Sequence, residues 1–312
     1  MGNRKFSPEI LDQLEKLAAK YEKTGQDLSS YLDGLLHADY LTYWDYIHLD
    51  TLLSLQTPKT SFPDEKIFIL YHQITELYFN LILHEQDQLI FGQYTRDKFK
   101  NGVHRMNRYL DHLINSFDIM IEGMNPEQFL QFRMSLLPSS GFQSAQYRMI
   151  EIGATDLHLL TAPDKRESVS ESSSIEEIYN LLYWKKGATE LATGKKTLTL
   201  VQFEEKYGKT FRERATAVRE CNLRKIYLRE FLGDEEIENE LRQLDYKANV
   251  TWPLMHYKSA VRYLHRNPDD IKATGGTNWQ KYLPPKKQQI VFYPGLYNEE
   301  EVENWGKKEN LS

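Results

Sequence analysis

The chain holds a single cysteine, Cys221. It can therefore build neither an intrachain disulfide nor a cysteine-ligated zinc or iron–sulfur centre. No apolar run approaches the length of a membrane span, and Met1-Gly2-Asn3-Arg4-Lys5 leads into no signal-peptide core. A reducing, cytoplasmic setting is the expectation. The chain also lacks a basic excess: 39 Lys and Arg against 45 Asp and Glu leave a net charge of −6, spread along its length. Nucleic-acid binders and polybasic membrane anchors both need clustered cations. Neither class fits.

Several catalytic signatures are missing too. There is no Gly-x-Ser-x-Gly elbow, phosphate loop, dinucleotide fingerprint or His-Glu-x-x-His zinc motif. None of the nine histidines has Glu three residues before it, the pairing that builds di-iron bundles. Asp45-x-x-His48 is the nearest imitation.

What is present is helical periodicity. Ser7-Pro8-Glu9 reads as cap, first-turn proline and acidic first turn, and Gly25 closes the first helix. Further helices are expected over residues 40–56, about 64–91, 96–122 and 126–138. A long one is expected over 234–265, interrupted near Pro253. The third carries Ile67, Phe68, Leu70, Tyr71, Ile74, Leu77, Tyr78, Leu81 and Ile82, apolar far enough round to lie inside a bundle. Short stretches at 197–201 and 289–292 are the candidates for β-structure. The expected fold is an all-α multi-helix bundle in one domain over 1–312. It has an N-terminal helical arm over about 1–38 and a polar, solvated or disordered loop over about 163–174.

Four segments then carry a resemblance. They are Tyr43-Trp44-Asp45-Tyr46-Ile47-His48-Leu49-Asp50; Phe68-Ile69-Leu70-Tyr71-His72-Gln73 within a longer run; Phe129-Leu130-Gln131-Phe132-Arg133 continuing to Ser139-Ser140-Gly141-Phe142-Gln143-Ser144; and Trp252-x-x-x-His256 followed by Thr274-Gly275-Gly276. In that order and spacing, from about residue 40 to 285, the chain resembles the tryptophan 2,3-dioxygenase family. The resemblance implies a b-type haem, ferrous when active, enclosed by the bundle. It implies L-tryptophan and O2 as substrates and N-formylkynurenine as product, on a homotetramer built as a dimer of dimers.

Residue by residue, the resemblance makes His256 the axial ligand of the haem iron, with Trp252 beside it and Arg148 reaching a propionate. His72 is the distal histidine, accepting the indole N–H and orienting it rather than serving as an essential base. Phe68 and Phe129 wall the indole, and Arg133 clamps the substrate carboxylate. Thr274 receives the ammonium, and Ser140 and Gly141 form a turn near the oxygen. Tyr43 and Tyr46 enter the pocket from a neighbouring subunit. The departures are Pro253 where the family usually has arginine, Met255, Trp279 and Pro284. Because proline removes a backbone donor, Pro253 is expected to shift the proximal helix. Two other readings stand beside this one: a relative that oxygenates another indole, as a monooxygenase for instance, and a cofactor-free helical scaffold.

Overall fold

The computed structural model describes residues 6–23, 25–37, 42–136, 143–189, 195–264 and 284–307. The chain divides into two compact units, Met1–Leu55 and Gln56–Ser312. Among the described residues there is no strand beyond two isolated bridges, Thr161 to Leu182 and Thr189 to Lys196.

In the N-terminal unit, α1 (Pro8–Glu22) starts on the Ser7 side chain, and Gly25 follows it with φ 68°. Next come α2 (Leu28–Leu36), α3 (Tyr43–Tyr46) and α4 (Leu49–Ser54). The single helix expected over 40–56 is thus split. His48 takes the left-handed conformation, φ 50°, which no residue inside an α-helix adopts. No described residue of this unit is buried.

The second unit is built around α5 (Asp64–Phe91), which lies against α6 (Arg96–Ser116) and α9 (Ala145–Ala154). Between them come α7 (Asp118–Ile121) and α8 (Pro126–Phe132). The helix expected over 96–122 therefore breaks at Phe117, which ends α6 and begins α7. Residues 163–168, expected as a solvated loop, form a short 3-10 helix, and Ser174 with Glu177 makes a capping box for α10 (Ile175–Asn180). After α11 (Tyr183–Gly187), α12 (Leu198–Ala217) occupies one stretch considered for β-structure. Its alternating Thr and Leu mimic a strand, but the Thr197 hydroxyl accepts the Leu200 N–H and caps a helix instead.

α13 (Leu223–Ile226) precedes α14 (Glu235–Tyr246), which packs on α6. A π-turn over Lys247–Thr251 joins α14 to α15 (Trp252–Leu264), so Pro253 does not end the helix. The second β candidate, 289–292, is irregular chain instead. The buried Asp245 carboxylate accepts the Phe292 and Tyr293 amides at 3.0 Å each, and the Asn249 side chain at 2.7 Å. Ladder partners are unnecessary where a carboxylate satisfies the amides.

Where α5, α9 and α12 meet, Gly153 faces the Gln86 carboxamide and the Arg214 guanidinium, and an added Cβ would collide with both. Arg214 bonds the Gln86 oxygen and Asp87 at 2.8 Å each and the Met149 carbonyl at 2.9 Å, so neither side chain can yield cheaply. Gly153→Ala is expected to cost about 1–3 kcal/mol through overpacking. A lowered urea midpoint with an unchanged slope checks this.

Candidate functional site

Two reciprocal hydrogen bonds bolt the first turn of α5 to that of α8. The Asn125 amide donates to Asp64 Oδ2 at 2.6 Å, and the Asp64 amide donates to Gln128 Oε1 at 3.2 Å. The buried Glu65 carboxylate also holds the chain before α5 by accepting the Lys59 and Thr60 amides at 2.7 Å each. One turn on, the fixed helices bring Phe68, Phe129 and Phe132 together, with centroids 6.2 Å (Phe68–Phe129), 5.9 Å (Phe68–Phe132) and 5.5 Å (Phe129–Phe132) apart. Arg133 follows at the turn where α8 tightens into a 3-10 helix, and it is half-buried.

His72 stacks on Phe68, centroids 4.1 Å apart, because i and i+4 share a helix face. Its Nδ1 lies 2.7 Å from the Phe68 carbonyl. A carbonyl only accepts, so Nδ1 carries the proton and Nε2 keeps its lone pair. The ring is open to solvent at its edge, yet the surrounding protein desolvates it enough to lower its pKa; the Phe68 bond and the Glu76 charge pull the other way.

His256 on α15 repeats this arrangement. Its Nδ1 is 3.1 Å from the Trp252 carbonyl, again leaving Nε2 as the acceptor. The ring meets Trp252 at 4.3 Å and Phe117 at 4.7 Å. Burial pushes its pKa down to about 4; the Trp252 bond opposes that shift, and a charge on His72 would add to it. The two imidazoles are thus close enough to sense each other. The rings between them run from His72 to Tyr71 (6.2 Å), to Phe117 (5.6 Å) and on to His256. A second bridge joins α8 to α15, with Phe129 and Tyr263 at 4.6 Å. Ser259 and Tyr263 donate to the Met120 and Ile121 carbonyls at 3.3 Å each, docking α15 on α7.

A neutral imidazole with its second nitrogen engaged can bind a metal through Nε2. Among the described residues no group of three His, Cys, Asp or Glu could hold an ion by itself. A metal here would bring most of its own ligands.

The structure therefore links Phe68, His72, Phe129, Trp252 and His256 from α5, α8 and α15 through ring contacts, with Arg133 next in sequence after Phe132. Trp252 is 5% exposed, wedged between Phe79 and Phe117, and its carbonyl does the polar work. Arg148 goes elsewhere. Its Nη1 bonds Glu151 at 2.8 Å and the Tyr183 hydroxyl at 2.9 Å, and that hydroxyl donates to Glu151 at 2.6 Å. Glu151 and Tyr183 thus engage Nη1, while the buried Nε has no hydrogen-bond partner among the described residues. Tyr43 and Tyr46 belong to the N-terminal unit and are exposed there. Ser140, Gly141, Thr274 and Trp279 lie outside the described residues.

Sequence reasoning did not single out Phe117, Phe132 or Tyr263 for the site. Tyr263 had a signal, since it follows His256 by seven residues and so shares its face. Phe117 had none, because the helical pattern runs straight through it.

A family model described as tryptophan 2,3-dioxygenase matches residues 14–249. The chain belongs to the tryptophan 2,3-dioxygenase family. Relatives carrying that name include one from Ruegeria sp. (strain TM1040), 43% identical over 118 residues, which are 36% of this chain and 41% of the relative. Another, from Bacillus thuringiensis subsp. konkukian (strain 97-27), is 37% identical over 142 residues, 43% of this chain and 50% of the relative. A third, from Herpetosiphon aurantiacus, is 44% identical over 115 residues, 36% and 44% of the two chains. The chain thus spans half the length or less of each of these relatives. The family match includes Phe68, His72, Phe129 and Arg133 but stops before Trp252, His256 and Thr274. The matched span therefore does not reach His256, whose role is taken up as a proposal below.

In the metal-free protein, His256 gives the fold a pH dependence of known sign. Its folded pKa, about 4, lies below the ordinary 6.5, so between those values the unfolded chain takes up a proton that the folded chain refuses. This contribution is complete above pH 6.5 and is lost as the pH falls toward 4; His72 acts in the same direction. In urea titrations at pH 7 and about pH 4.5, His256→Gln should lose less stability between the two than the unmodified protein.

Proposed function

We propose that the chain is a haem-dependent dioxygenase that opens the indole C2–C3 bond of L-tryptophan with O2 and releases N-formylkynurenine. One observation carries the reading. Two imidazoles from α5 and α15 each commit Nδ1 to their own helix, keep Nε2 free of a proton, and are joined by one seam of aromatic rings.

The residues fit a b-type haem. His256 is neutral and tautomerically fixed, and Trp252 and Phe117 give its ring apolar company, as an axial ligand requires. Bound in its ferrous form, haem supplies the centre at which O2 is activated. The chain's own residues hold the substrate. Phe68 and Phe129 flank the indole, and the unprotonated Nε2 of His72 accepts the indole N–H. The Arg133 guanidinium meets the carboxylate as a two-pronged fork. Thr274 takes the ammonium, with Ser140 and Gly141 beside the oxygen. Holding reactants in attack geometry is worth about 7–11 kcal/mol, so no strong base is needed to start addition to an electron-rich indole. His72 orients the substrate.

The assembly we propose is a homotetramer, a dimer of dimers, in which Tyr43 and Tyr46 complete a neighbour's pocket. Their exposure of 70% and 73%, in a unit where no described residue is buried, supports an arm that needs another surface. The outer face of α5 adds to this, exposing Ile74, Leu77 and Leu81 at helical spacing. No helix among the described residues is long and apolar enough to cross a membrane, and a cytoplasmic setting goes with the reading.

Ferrous protein given L-tryptophan and O2 should accumulate N-formylkynurenine, read by its absorbance; turnover of a different indole instead would overturn the substrate. His256→Ala should lose or shift the Soret band. His72→Ser should lower kcat/KM about tenfold, the worth of roughly one hydrogen bond, with activity remaining. Complete loss with haem intact would make His72 an essential base. Arg133→Lys should raise KM at least about tenfold, because an ammonium cannot reproduce the paired bonds.

A further inference from the structure

Pro253 presents the proximal helix with a problem. In the π-turn Lys247–Thr251, amides reach carbonyls five residues back, and the Trp252 N–H accordingly bonds the Lys247 carbonyl. The Ala248 carbonyl is thereby passed over by Trp252, which would be its α-helical donor. Its donor in the π pattern would be residue 253, and proline has no N–H. Ala248 is 2% exposed, so bulk water does not make up the loss. Buried carbonyls are almost always paired, and this one needs a donor from another element.

Tyr147 supplies it. From α9 its hydroxyl donates to the Ala248 carbonyl at 2.7 Å, and the residue is 7% exposed. Its ring packs on Phe79 at 5.2 Å, and Phe79 packs on Trp252 at 5.9 Å. Phenylalanine would fill this space equally well, so packing alone does not account for the hydroxyl. Burial lifts the pKa of that hydroxyl well above its usual value, which keeps it a donor.

The position of this bond matters because α15 begins directly after the π-turn. One extra residue in a turn rotates the downstream helix by about 100° relative to an uninterrupted α-helix. The π-turn thus decides which face α15 turns toward α7 and α8, and that face carries Trp252 and His256. We propose that the Tyr147 hydroxyl replaces the amide that Pro253 lacks, closing the π-turn, and that Tyr147 is thereby a positioning residue for His256. The first half stands on the helix geometry alone; the second rests on the haem reading above.

Four proteins test it: unmodified, Tyr147→Phe, Pro253→Ala and the double variant. Two readouts are taken: the urea midpoint of the haem-free protein, and haem affinity with the Soret and ferrous spectra. Tyr147→Phe alone should lower the midpoint, weaken haem binding about 10- to 100-fold and move the ferrous spectrum, as lost outer-shell partners do. Made in Pro253→Ala, where residue 253 regains an amide for the Ala248 carbonyl, the same change should weaken haem binding less than about threefold. Equal losses in both backgrounds would overturn the proposal. A lowered midpoint with unchanged haem affinity and spectrum would overturn the positioning role. Should Tyr147→Phe fail to fold, the double variant must recover folded protein, and its failure would count against the proposal. If the unmodified protein takes up no haem, the functional reading fails, while the midpoints still judge the hydrogen bond.

Discussion

A histidine inside an α-helix can reach the carbonyl four residues before it, and when Nδ1 makes that bond the ring loses both its freedom to rotate and its choice of tautomer. His72 and His256 both make it, to Phe68 and Trp252. Everything else in the site depends on this constraint. It leaves each ring with one nitrogen that is unprotonated and directed away from its own backbone, which an axial ligand and an indole acceptor alike require. The residues lending the carbonyls are aromatic, so the side chain of each carbonyl's own residue also packs against the ring it fixes. Orientation, tautomer and apolar surroundings come from one four-residue spacing used twice.

Such a device works only if the two helices are held in register with each other. α5 is fixed at its start by the Asp64, Asn125 and Gln128 exchange and in its middle by the core it shares with α6 and α9. α15 has no comparable anchor at its own start, where a proline and a π-turn interrupt the regular ladder. It borrows rigidity instead: from Tyr147 at the Ala248 carbonyl, from Met120 and Ile121 through Ser259 and Tyr263, and from the Phe117 ring at the break between α6 and α7. Asp245, two residues before the π-turn, also grips the irregular chain around Phe292 and Tyr293. The helix carrying His256 is therefore held mainly by neighbours distant in sequence.

That difference explains how much could be read from the residues in order. The Phe68/His72, Phe129/Arg133 and Trp252/His256 pairs share a helix face by spacing, and ring contacts link Phe68, His72, Phe129, Trp252 and His256 in the structure. The span of α5 was legible because Pro63-Asp64-Glu65 opens it and its apolar stripe runs on without a break. The break at Phe117 was not, since Ser116-Phe117-Asp118 continues an acceptable helical pattern, and the contacts of Phe117 include Trp252 and His256, distant in sequence. The pairing of Arg148 with Glu151 was equally hidden, since a charge on a helix face carries no sign of whether a buried carboxylate answers it. The π-turn was illegible because its compensating donor, Tyr147, lies about a hundred residues earlier.

That no described residue of the N-terminal unit is buried has a thermodynamic consequence. Helices that bury so little have little cooperativity of their own, because isolated helices of this length are marginal in water. In the assembly proposed above, association would supply the burial that this unit lacks. The free energy that keeps Tyr43 and Tyr46 in helical register would then belong to a mass-action equilibrium, and the persistence of that part of the fold would become a function of concentration.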